Sequence, residues 1–82
     1  MIDKEILKKL YSLYKEYGVT EDTISEMMEV GIVINNLRPE IVVYNICAQL
    51  AEEYFGTEGI DPIQETAKMF GITSDELSAL VI

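Results

Sequence analysis

The run from Arg38 to Phe55, RPEIVVYNICAQLAEEYF, constrains the fold more than any other part of the chain. Apolar side chains stand at Ile41, Val42, Val43, Tyr44, Ile46 and Cys47, and continue through Ala48, Leu50, Ala51 and Tyr54 to Phe55. A surface helix carries one apolar stripe, whereas a helix that is apolar nearly all round is enclosed by protein. Pro39 suits a first helical turn and Gly56 supplies a left-handed cap. A central hydrophobic helix over residues 38–55 is therefore expected, with the other segments packed around it.

Those other segments read as helices too. Ile2, Ile6, Leu10, Leu13 and Tyr17 recur at three or four residue intervals, with Leu7, Tyr11 and Tyr14 widening the stripe, and Gly18 caps the run. Thr20 begins a second helix, where Glu21 and Asp22 meet the positive end of the helix dipole. Its buried positions are Ile24, Met27, Met28 and Val30, and Gly31 closes it. Ile32–Ile34 is a short apolar run that reads as a buried connection, with an edge-pairing dimer strand as the alternative. Asp61-Pro62 opens a fourth helix over Pro62–Phe70, with Gln64 placed to complete a capping box, and Gly71 ends it. Thr73 and Glu76 form a second capping-box pair before Leu77, Leu80, Val81 and Ile82. The expectation is a single all-α domain over residues 1–82, a compact bundle of about five helices with no sheet.

Charge narrows the function. Fifteen acids against six bases give a net charge of −9. Lys4, Lys8, Lys9 and Lys15 gather near the start, and beyond them the bases are Arg38 and Lys68. An acidic body repels phosphate backbones and anionic lipid surfaces and attracts basic protein surfaces. Acidity that serves only solubility is the alternative. The opening MIDKEILKK lacks the uninterrupted apolar core of a secretory signal. The longest uncharged run, Ile41 to Ala51, falls short of the roughly 20 residues that cross a bilayer. The lone Cys47 has no intramolecular disulfide partner. A cytoplasmic protein without membrane association is expected.

The segment Lys15–Ser25 echoes Lys68–Ser78: Lys, Gly, Thr, Asp and Ser coincide, and the aromatic and branched positions match in kind. Each is a helix end, a capping glycine, an apolar plug, an N-cap threonine and a new helix, which makes a sharp corner. The second copy resembles the DNA-binding helix-turn-helix family within residues 62–82. Ala67 lies four before Gly71, Ile72 follows that glycine, and Leu77 and Leu80 stand six and nine after it. The resemblance implies two closely approaching helices, with DNA read by the second. The residues at those positions carry a different charge. A recognition helix offers Arg, Lys, Asn or Gln to bases, and here the first turn offers Ser74, Asp75 and Glu76. In the first copy Tyr14 takes the place of the small residue, and Glu21, Asp22, Glu26 and Glu29 cover the second helix.

Catalytic signatures are weak. The chain has no histidine, the commonest general base and metal ligand. Cys47 sits on the most apolar helix, where a thiol packs and does not attack. No glycine-rich phosphate loop follows a strand. Glu26 with Glu29 and Glu52 beside Glu53 read as solvated acidic faces, without the spacing of a calcium loop. No catalytic, cofactor-binding or metal-ligating residue is assigned.

These readings converge on a small acidic non-catalytic interaction or regulatory module whose partner is a protein with a basic surface. Such a module can act as an inhibitor or a mimic of nucleic acid. The expected contacts are Glu21, Asp22, Glu26 and Glu29, with Asp75 and Glu76 as a secondary patch. The alternatives are a helix-turn-helix DNA-binding regulator using the basic face of the first helix, and an oligomerising module, a homodimer being the simplest case.

Overall fold

Every helix start but one is marked by a side chain that satisfies the free N–H groups of a first turn. A computed structural model describes residues 2–81. Asp3 caps α1 (Lys4–Tyr14) by accepting from Glu5 N and Ile6 N. Thr20 caps α2 (Glu21–Glu29) by accepting from Thr23 N at 3.2 Å. α3 (Pro39–Glu53) is the exception, since it starts on proline, which has no N–H to satisfy. Glu40 in its first turn accepts from its own backbone N–H and pairs with Arg38 at 3.1 Å, and both hold its carboxyl below the usual range. Asp61 caps α4 (Pro62–Phe70) through Ile63 N and Gln64 N. Ahead of α5 (Ser74–Val81) the capping box closes in both directions: Glu76 N donates to Thr73 Oγ1 and Thr73 N to Glu76 Oε1, each at 3.1 Å.

The bundle is all-helical, as the patterning predicts, and α3 is its hub, packing against α2, α4 and α5. Val42, Val43, Ile46, Cys47 and Leu50 of α3 are buried with Ile6, Leu10 and Tyr14 of α1 and Ile24 and Met28 of α2. Ala67 and Leu77 are buried on α4 and α5, while Leu80 and Val81 are half-buried. Ile82, the last position of that expected apolar face, lies outside the described residues.

Both corners form. Gly18 and Gly71 adopt left-handed φ values of +86° and +67°. At the second corner Ile72 N reaches back to the Ala67 carbonyl at 3.1 Å, which closes the helix end. The first is looser, because a 3-10 turn over Lys15–Tyr17 separates α1 from Gly18. Tyr14, which replaces the small residue there, is accommodated by full burial. Its hydroxyl lies against the Cys47 thiol and has no conventional hydrogen-bond partner. Thr66 Oγ1 approaches the same sulfur at 3.9 Å. Burial pushes both the Tyr14 phenol and the Cys47 thiol to higher pKa. Cys47 is therefore held as a neutral packed thiol.

Four expectations fail for identifiable reasons. Gly31 does not close α2: the chain runs through it in a π-helical turn over Val30–Ile34. Asn35 N then donates to the Val30 carbonyl at 2.9 Å, and Asn36, at φ +54°, ends the run in the left-handed conformation expected of a glycine. Ile32–Ile34 is consequently neither a buried connection nor a strand. Ile32 packs on the core, but Val33 and Ile34 are 54% and 69% exposed, and Val30 is 48% exposed.

The end of α3 also differs. The helix stops at Glu53, Tyr54 turns extended, and Phe55 stands almost wholly in solvent at 98% exposure. Gly56 does not cap α3 but starts a 3-10 turn over Thr57–Gly59. Thr57, fully buried, shares its hydroxyl proton between the Leu50 and Tyr54 carbonyls and so satisfies the helix end from outside. Finally, α3 is not enclosed all round, because Asn45, Gln49, Glu52 and Glu53 reach solvent along one strip.

Candidate functional site

The exposed strip of α3 faces a groove whose other wall is α2. Glu26 and Met27 line it from α2, Val30 from the π-helical turn that follows, and Val42, Asn45, Ile46 and Gln49 from α3. These α3 positions are spaced i, i+3, i+4 and i+7, so one face of about two turns borders the groove, or about 10 Å at helical rise. Gly31, Asn35 and Leu37 complete the lining, and the volume is about 400 Å³.

Gly31 governs the close approach of the two walls. A Cβ at that position would stand 2.7 Å from both γ-carbons of Val42. The missing side chain brings the π-helical turn onto α3, and that contact leaves Val30, Val33, Ile34 and Leu37 pointing away from the core. Val30 and Leu37 are part of the lining, and Val33 and Ile34 belong to the same π-helical turn as Val30. A π-helical turn inside a helical run recurs often at functional sites.

All six expected contact residues are exposed. Glu21, Asp22, Glu26 and Glu29 lie on α2, and Glu26 lines the groove itself. Among the described residues the ion pairs are Arg38–Glu40 and Lys68–Glu65, so the four carboxylates of α2 are unpaired. Asp75 and Glu76 belong to α5, which packs on α3 and α4, and Glu76 is engaged in its own cap. Among the described residues no three acidic or thiol side chains converge. The acidic positions therefore form a face and not a chelating cluster.

Sequence reasoning missed the groove and the exposed apolar residues beside it. A signal was present: Met27, Val30 and Ile34 keep helical spacing straight across Gly31. Reading Gly31 as a terminator hid that continuity.

No protein family, curated protein or solved structure matches the chain. Among the described residues no helix is long and apolar enough to cross a membrane.

Proposed function

We propose that this protein is a small acidic, non-catalytic interaction module, regulatory in role, that binds a partner protein through the α2 face. One observation carries the reading: the exposed carboxylates of Glu21, Asp22, Glu26 and Glu29, which pair with no base among the described residues, lie on the helix that runs directly into solvent-exposed Val30, Val33 and Ile34. Charge steers a basic surface toward the face, and the apolar residues supply desolvated contact once it arrives. Large apolar side chains left in water next to a uniform charge mark an interaction surface more than a solubility device. A cytoplasmic location suits such a module.

The test uses the tagged chain as bait in an extract of its native host, at low and high salt. A partner retained at low salt should be released at high salt and lost with the double variant Glu26→Lys, Glu29→Lys. A partner held equally by that variant and at every salt concentration contradicts the reading. Exposure of Val33 and Ile34 also favours a second reading, self-association through the same surface. Sedimentation would then show a dimer at micromolar protein.

A further inference from the structure

We infer that the α2–α3 groove receives a basic amphipathic helix from the partner protein. The inference rests on the reading of α2 as a partner-binding face and names what occupies it. The shape of the groove comes first. Both walls are helical, so no strand edge offers backbone hydrogen bonds to an extended peptide. The lining offers apolar contact from half-buried Met27 and from exposed Val30 and Leu37, with buried Val42 and Ile46 of α3 beneath them. A helix presenting apolar residues at i, i+3 or i+4, and i+7 fills such a trough.

Electrostatics select the other face of that helix. Glu26 is the charged side chain in the lining, Glu29 lies on the same helix, and Gln49 Nε2 donates at 3.0 Å to Glu53, which places a third acid at the α3 end. Arg38, which follows the lining residue Leu37, is paired with Glu40 at 3.1 Å. Four of the six bases stand in the first fifteen residues, and Lys68 is on α4. No Lys or Arg is among the residues that line the groove. A second copy of this chain would bring its own α2 carboxylates against those of the first, and like charges facing each other disfavour such a pairing. Lys and Arg flanking an apolar stripe fit both requirements. Asn35, Asn45 and Gln49 then offer side-chain amides that orient the guest.

The probe is a fluorescent peptide of about 15 residues, with leucine at one helical face and lysine elsewhere, long enough to populate a helix on binding. Two companions share its length: a poly-lysine peptide without leucine, and the leucine peptide with glutamate in place of lysine. Anisotropy titrations should show binding by the Leu/Lys peptide, and on the order of tenfold weaker binding by the other two. Glu26→Lys and Val30→Asp should each weaken it by about tenfold, while Glu16→Lys, with the same charge change outside the groove, leaves it unchanged. Leu37→Ser provides a second apolar variant of the lining should Val30→Asp lose its fold.

Poly-lysine binding as tightly as the Leu/Lys peptide would overturn the groove while leaving the acidic-face reading intact. Absence of binding by both cationic peptides would overturn both. A dimer in sedimentation that dissociates with Leu37→Ser, combined with no peptide binding, would assign the groove to a second copy instead.

Discussion

Gly71 and Gly31 each follow an amphipathic helix, yet the chain uses them in opposite ways. At Gly71 the backbone turns left-handed, a Cβ there would meet nothing within 4 Å, and the neighbouring groups satisfy one another through the Thr73–Glu76 box. At Gly31 the backbone stays helical, Val42 fills the space a side chain would take, and apolar residues are left facing water. The first glycine is needed for conformation and completes a corner that is finished within the chain. The second is needed for clearance and shapes a surface that the chain does not cover. The corner closes on its own capping groups, whereas the exposed apolar residues that follow α2 form the surface the proposed partner would cover.

The largest effect separates interior from exposed wall by one chemical change. Ile46→Asp places an unpaired charge in the buried floor of α3, costs several kcal/mol and should unfold the domain, as read by circular dichroism. Ile34→Asp makes the same change at a residue 69% exposed and should leave the melting temperature nearly unchanged. Equal loss in the two variants would erase the contrast.

Next in size, Gly31→Ala should destabilise by about 1–3 kcal/mol despite the better helix propensity of alanine, because its Cβ meets Val42. Denaturant titration of Gly31→Ala, Val42→Ala and the double variant should reveal strong coupling. Gly71→Ala should cost about 1 kcal/mol through its positive φ alone and add independently to Val42→Ala. Thr73→Ala removes the cap of α5 and should cost about 1 kcal/mol in the same assay.

The smallest effect is alkaline. Cys47 and Tyr14 have folded pKa values raised above their ordinary 9.0 and 10.0, so the folded state holds protons that the unfolded chain releases. Their contribution is fully present below pH 9 and declines as pH rises beyond it. Stability followed from neutral pH to above pH 10 should fall, and Cys47→Ala should flatten the earlier part of that fall.

The sequence made legible whatever is local. Thr20, Asp61 and Thr73 announce their helices because a cap acts within three residues, and Pro62–Phe70 falls where its flanking Asp61 and Gly71 place it. The core of α3 is legible as well, since Val43, Cys47 and Leu50 repeat at helical spacing. What escaped depends on distant partners. Gly31 reads as a terminator until Val42, eleven residues on, is known to fill its space. Thr57 reads as a turn residue, yet its burial under Leu50 and Tyr54 comes from the path of the chain after α3. The acidic face was legible as charge, but the groove beside it was not, because a groove belongs to two helices at once.

The most direct test of the account follows backbone and side-chain amide resonances of the isotopically labelled protein as the Leu/Lys peptide is added. Shifts should gather at Met27, Val30, Gly31 and Leu37 and at the side-chain amides of Asn45 and Gln49, and should shrink with salt. Shifts centred instead on Lys9, Leu13 and Met69 of the α1–α4 surface, or spread evenly over every acidic residue, would contradict it.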